Sequence, residues 1–254
     1  MCTIALLIEV VVGAPLVLVA NRDELYARPT RPPEQLGRSI VGGVDVVSGG
    51  TWLAVHRDGR FAAVTNQRAL ATPPPGLRSR GLAVKQLIAA EDPRAYIEEL
   101  DPTRYASMNL VWGDARGASI AYTRQEGALD ILTLPPGIHV LCNDKLGTAG
   151  FPRGDRLAAA IHAASGEGWP AIVPHLQRAL ADHTRVPLAD VPASHLPPEL
   201  GRELTATCIH SEHYGTRSST LLALGEGRVI EYGYTDGPPC TSPWIDGRAV
   251  LEAA

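Results

Sequence analysis

The sequence predicts an α+β protein built on stacked antiparallel sheets with helices packed outside them. Three observations carry that expectation. The β-like runs come in two batches, the helical segments cluster between those batches, and no regular β-α-β alternation appears along the 254 residues. No internal repeat and no low-complexity linker divides the chain, so a single domain over 1–254 is expected.

Residues 3–12 and 15–20 read as two strands joined by a tight turn at Gly13-Ala14, and both are nearly continuous apolar runs. Runs of that kind suit strands covered on both faces. The second leads into the polar tetrad Asn21-Arg22-Asp23-Glu24, and a Pro-rich loop with Pro29, Pro32 and Pro33 follows. Strands are expected at 39–47, 51–56 and 61–66, with Gly49-Gly50 and Asp58-Gly59 supplying the turns. Beyond the break at Pro73-Pro74-Pro75-Gly76, residues 80–90 read as a helix whose Leu82, Leu87 and Ile88 share a face. Asp92-Pro93 caps and opens a second helix, to about residue 100. Strands return at 107–113, 118–123, 129–133 and 137–142, and two helices follow at 153–164 and 170–182. A loop rich in Pro and His at 186–198 precedes last strands near 205–210, 217–224 and 228–234. Pro238-Pro239 argue against a further strand in the tail.

Composition excludes several functions. An apolar fraction of 45%, a charged fraction of 20% and a net charge of -4 describe an ordinary globular protein, with no sign of nucleic-acid or anionic-membrane binding. Glu9, Gly13 and Pro15 interrupt the apolar start and no basic segment precedes it, so neither a secretory signal nor a membrane span is expected. Cys2, Cys142, Cys208 and Cys240 show no CxxC spacing. A cytoplasmic protein with reduced thiols is the expectation.

The chemistry starts at Cys2. Met1 precedes a small residue, the kind of Met normally trimmed, and trimming makes Cys2 the first residue. Such a Cys carries its own base, because an α-amine titrates near ~8 and a thiol near ~8.5. A plain buried Cys at the head of a core strand is the competing reading. In a hairpin closed at Gly13-Ala14, opposed residue numbers sum to about 27, which brings Cys2 near Asp23. There Asp23 can hold the α-ammonium group, and Arg22 can favour the thiolate. Asn66 and Asn143 each end an expected strand and are either turn formers or amide donors to an oxyanion. Arg217 opens a late strand and supplies a second cation. Cys208, His210 and His213 have a metal-ligand flavour but no second pair at zinc-site spacing, so neither a metal nor any other cofactor is expected. Gly42-Gly43 and Gly49-Gly50 do not match a phosphate loop.

Five stretches come in one order: Met1-Cys2-Thr3-Ile4, Asn21-Arg22-Asp23-Glu24, Gly49-Gly50-Thr51-Trp52-Leu53-Ala54, Thr65-Asn66-Gln67-Arg68 and Gly215-Thr216-Arg217-Ser218-Ser219-Thr220. In that order the chain resembles the NRDE family, relatives of transport and Golgi organisation protein 2, from residue 1 to about 224. The resemblance implies the fold of N-terminal-nucleophile (Ntn) hydrolases, a four-layer αββα sandwich. The layout is also similar, more distantly, to the cysteine Ntn amidases that cleave penicillin V and conjugated bile salts. By that similarity Cys2 is nucleophile and base together, Asp23 and Arg22 orient it, Asn143 donates to the oxyanion with Asn66 as a second amide, and Arg217 is a distal cation. In those amidases the Arg and Asp are spaced apart, so the parts of Arg22, Asp23 and Glu24 stay open. Phe151-Pro152-Arg153 stands where the family often has Trp-Pro-Lys, a departure expected to leave the chemistry untouched. The implied activity is hydrolysis of a non-peptide C–N bond in an N-acyl amide. The alternative is a non-catalytic protein binding haem, lipid or acyl-CoA, since family members are linked to their handling. Loops at 25–38, 67–79 and 186–200 are expected to rim the pocket.

Overall fold

The first two strands set the layering. In the computed structural model, which describes residues 2–68, 74–194 and 196–254, Cys2–Val11 (β1) and Ala14–Leu25 (β2) form an antiparallel hairpin. The chain then builds a seven-stranded sheet in sequence order: Thr30–Gly37 (β3), Ile40–Asp45 (β4), Leu53–His56 (β5), Phe61–Asn66 (β6), Met108–Asp114 (β7), Gly117–Thr123 (β8) and Leu129–Thr133 (β9). It returns to the first sheet with Gly137–Leu141 (β10), Tyr214–Gly225 (β11), Arg228–Asp236 (β12) and Ile245–Asp246 (β13), in the order β10-β1-β2-β11-β12-β13. Every pairing is antiparallel.

Side-chain parity explains the apolar runs of β1 and β2. Ile4, Leu6, Ile8, Leu16, Leu18 and Ala20 meet Val41, Leu53, Phe61, Val111 and Ile120 of the second sheet in one buried cluster. The alternate residues Ala5, Leu7, Val17 and Val19 pack against helices Pro152–Ala164 and Val173–Leu180. Numbered in chain order, the helices are Arg80–Ala89 (α1), Pro93–Glu98 (α2), these two (α3 and α4), Pro198–Glu203 (α5) and Arg248–Ala253 (α6). The outer face of the seven-stranded sheet is buried against α1 and α2. The layers therefore run α, β, β, α, and a strand in the middle of either sheet is covered on both faces.

Four local expectations change. The Pro-rich loop is an edge strand, β3, where a missing N–H costs no ladder bond; its register shifts between Arg31 and Glu34, across Pro32-Pro33. Residues 205–210 are not a strand: both edges of β11 are taken by β2 and β12, and the segment touches β11 in ladder fashion only at His210↔Gly215. The tail does pair again at β13 and ends in α6, whose Leu251 fills the inter-sheet core. The hairpin register also differs. The turn lies at Val12-Gly13, with Gly13 at φ +89, and the register shifts again between Ile8 and Val11. Opposed numbers consequently sum to 24 near the open end, and Cys2 faces Arg22 (2 + 22).

Candidate functional site

Parity divides the polar tetrad at the end of β2. Arg22 keeps to the inter-sheet side with Leu18 and Ala20, whereas Asn21 and Asp23 continue the helix-facing row of Val17 and Val19. Asn21 Nδ2 donates to the carbonyl oxygens of Leu180 and Thr207, both at 2.9 Å, and its Oδ1 accepts from Ser219 Oγ. It is a structural tie. Asp23 is 1% exposed, and its Oδ1 accepts from Thr216 Oγ1 at 2.7 Å. Burial raises the Asp23 pKa, against the charge of Arg153 and that hydrogen bond. Glu24 lies at the rim, 3.9 Å from the Arg28 guanidinium.

Cys2, Arg22, Asp23, Glu24 and Asn66 line one cavity of about 360 Å³, roofed by Trp52, Thr51 and the start of α1. Arg22 is 6% exposed, its guanidinium lies 4.1 Å from the centre of the Trp52 ring, and its Nη1 makes no hydrogen bond among the described residues. A desolvated contact of that kind is worth about 2 kcal/mol. Gly43 makes room for it, because a Cβ there would sit 2.2 Å from the Trp52 ring. Arg28, Arg78 and Arg80 share the cavity wall with Asp45. Arg28 is paired with Asp45 at 2.6 Å, while Arg22 and Arg80 make no ion pair among the described residues.

The thiol itself departs from expectation. Cys2 is partly exposed at the cavity, yet burial pushes its pKa up, and the opposing effects of the N-terminal charge, then of Arg22 and of a hydrogen bond from the Asp23 backbone, do not reverse the direction. An arginine-stabilised thiolate is not what these surroundings make. Arg217 is the second departure. It occupies the register shift between Thr216 and Ser218, and its Nη1 donates to the carbonyl oxygens of Leu25 and Tyr26 at 3.1 and 2.7 Å. It ties β11 to the end of β2 and is not among the residues lining the Cys2 cavity.

The two asparagines are placed differently. Asn66 lines the cavity beside Cys2. Asn143, 3% exposed, donates through Nδ2 to the Asn66 carbonyl at 2.9 Å and accepts at Oδ1 from Arg153 Nη2 at 2.6 Å. One amide hydrogen of Asn143 is thus committed to holding Asn66.

Arg153 is the residue that sequence reasoning set aside. It is 2% exposed, donates from Nη1 to the Leu204 carbonyl at 2.9 Å, and its charge acts on Asp23. An arginine opening a helix after Phe151-Pro152 looks like a surface residue in sequence; only the packing of α3 on the first sheet takes it inside. Tyr214 was missed as well. Burial, then Asp23 and Cys2, push its phenol well above the ordinary value. Of the loops expected at the pocket, 186–200 is not among the lining residues, while His195 and residues 69–73 lie outside the described ones, as does Met1.

The suggested metal trio also changes membership. His213 is exposed beside Glu212, whereas Cys208 and His210 gather with His183 and Cys240.

The model of the family described as Transport and Golgi organisation 2 matches residues 1–233. The chain belongs to that family. Its similarity to the Transport and Golgi organization protein 2 homolog of Bos taurus runs at 30% identity over 235 residues, covering 84% of each chain. Among solved structures, this family member is similar to a mutant of the conjugated bile acid hydrolase from Clostridium perfringens: TM-score 0.56, 11% identity, 98% of this chain and 93% of that one. The N-acylethanolamine-hydrolyzing acid amidase ortholog of Caenorhabditis elegans gives a TM-score of 0.53 at 8% identity, over 88% of this chain and 92% of that one. At such identities the likeness is one of fold, and the fold is that of the Ntn hydrolases, as the motif order implied.

Proposed function

We propose that this family member is a cytoplasmic Ntn-type cysteine amidohydrolase that cleaves a linear N-acyl amide, with Cys2 as the nucleophile once Met1 is removed. The observation that carries the reading is that Cys2, Arg22 and Asn66 line one and the same cavity. In the first step the sulfur forms a bond to the substrate carbonyl carbon, and the thiol proton passes to the free α-amine. Asn66 donates to the oxyanion, where one such donor is worth about 3 kcal/mol, and Asn143, which does not line the cavity, holds the Asn66 main chain through its amide. Collapse breaks the C–N bond, and the ammonium returns its proton to the leaving nitrogen. Water then adds to the thioester, releasing the acid and restoring the thiol. Asp23, held by Thr216 and facing the charge of Arg153, supports the end of β2 without taking part in proton transfer, while Arg217 acts as a structural tie.

The cavity wall carries four arginines, Arg22, Arg28, Arg78 and Arg80, against Asp23, Glu24 and Asp45, which favours an amide bearing an acidic group. The same feature weighs against a purely apolar ligand. A second reading, a ligand carrier without turnover, is favoured by the name of the Bos taurus relative, which concerns transport.

The test has two parts. Intact mass should show protein lacking Met1. A panel of neutral and acidic N-acyl amides, run on wild type and Cys2→Ala, should give turnover only with wild type. Turnover that survives Cys2→Ala overturns the nucleophile. A silent panel beside tight, Cys2-independent binding of haem or a long-chain acyl-CoA establishes the carrier instead.

A further inference from the structure

Outside the cavity, three distant stretches bring thiols and imidazoles to one point. Cys208 and His210 flank Ile209 in the irregular segment before β11, His183 follows α4, and Cys240 follows β12. Their ligand atoms all lie within 4.8 Å of one another. Cys208 Sγ stands 3.8 Å from Cys240 Sγ and 3.7 Å from His210 Nε2, and His210 Nε2 stands 3.3 Å from Cys240 Sγ. The rings of His183 and His210 are 4.9 Å apart between centroids.

Those spacings decide between explanations. Tetrahedral zinc with bonds of about 2.3 Å to sulfur and 2.0–2.1 Å to nitrogen separates two sulfurs by roughly 3.8 Å and a sulfur from a nitrogen by roughly 3.5 Å. The three measured edges, 3.8, 3.7 and 3.3 Å, bracket those values. A disulfide needs its sulfurs at about 2.05 Å, and the two cysteines are free. Ordinary packing does not explain the group either, because His183 and His210 are exposed while Cys208 is buried. His183 Nδ1 lies 3.0 Å from the main-chain oxygen of Cys208, an acceptor, so that nitrogen holds the hydrogen and Nε2 keeps the lone pair.

We propose that His183, Cys208, His210 and Cys240 form a four-ligand structural zinc site. Two thiolates and two neutral imidazoles make a neutral centre with Zn²⁺, a donor set of structural rather than catalytic sites because it leaves no position for water or substrate. The metal ties the turn after α4, the segment before β11 and the turn after β12, where little regular structure holds them together. The clamped segment reaches the candidate active site in two hydrogen bonds. Ile209 N donates to Thr216 Oγ1 at 2.9 Å, and that hydroxyl donates to Asp23 Oδ1 at 2.7 Å.

The test uses the full chain, purified in reducing buffer without chelator. Elemental analysis should find about one zinc per chain. In His183→Ala/Cys240→Ser, which changes the two ligands outside the segment that carries Cys208 and His210, it should fall at least tenfold. Wild type stripped with chelator and reloaded with cobalt chloride should show a thiolate-to-cobalt charge-transfer band that the double variant lacks. Zinc chloride should raise the melting temperature of stripped wild type only. Wild type that holds under a tenth of a zinc per chain after incubation with zinc chloride and dialysis overturns the proposal. So does a double variant that keeps as much zinc as wild type. Should the double variant fail to fold, the wild-type stoichiometry and cobalt band decide alone.

Discussion

Replacing Arg153 by methionine separates the buried cation from its bulk, since methionine keeps most of the aliphatic volume. The structure sets the size of the effect. Arg153 is 2% exposed, donates to Asn143 Oδ1 and the Leu204 carbonyl, and its charge opposes the rise that burial imposes on Asp23. Leaving a buried charge without the opposing charge that acts on it costs about 3–5 kcal/mol. The two hydrogen bonds from a charged donor, at about 1.5–3 kcal/mol each, overlap with that figure and do not simply add. The expected loss is therefore about 3–5 kcal/mol near neutral pH. Protonation of Asp23 caps it. With its folded pKa raised, Asp23 holds a proton in the folded chain over a window where the unfolded chain has released it, so its contribution to stability falls as pH rises through that window. Without Arg153 the window extends upward. Denaturant unfolding of Arg153→Met and wild type should thus show a gap that narrows from pH 7 towards pH 5. Adding Asp23→Asn should recover part of the loss, because the amide still accepts from Thr216 and carries no charge. A single variant within 1 kcal/mol of wild type at both pH values, or a double variant no better than the single, refutes a buried charge pair.

Three further outcomes follow from the same geometry. Asn66→Ala should lower turnover of an N-acyl amide about 100- to 1000-fold with the melting temperature nearly kept, whereas Asn143→Ala should lower both, since it also frees the Asn66 carbonyl and Arg153. Alkylation of Cys2 by iodoacetamide, followed by peptide mapping, should keep accelerating above pH 8, and Arg22→Met should move the profile to still higher pH, because burial raises the thiol and Arg22 opposes that rise. Gly43→Ala should cost about 1–3 kcal/mol in denaturant unfolding, since a Cβ at 2.2 Å from the Trp52 ring forces the indole off Arg22.

What could be read in the sequence follows the range of the forces involved. The runs 3–12 and 15–20 announced doubly covered strands because each residue's face follows from its number alone. The hairpin register was missed by three, since a turn one residue earlier and a register shift near Glu9, a non-glycine at φ 55, leave no mark that composition carries. β3 was missed because prolines forbid only a central strand, and whether a strand is central is a property of the whole sheet. Arg153, His183 and Cys240 were beyond reach for one reason: each meets its partners across gaps that no local spacing records.

The polarity of the cavity constrains the chemistry more tightly than the motif order does. An arginine beside a cysteine invites the inference of a thiolate, but Arg22 spends one face on Trp52 and shares the site with Asp23, whose charge pushes the thiol the other way. Burial then decides the direction. A nucleophile in such a place is activated by removing its proton at the moment of attack, not by storing it as an anion. The parity of β2 points the Asp23 side chain towards the helix layer, where Thr216 holds one oxygen and Arg153 supplies the opposing charge, so Asp23 is a poor acceptor for that proton. The base that fits is the α-amine of Cys2, which exists only after Met1 is removed. Trimming Met1 is therefore part of the proposed mechanism, and a chain that retains it is expected to bind without turning over.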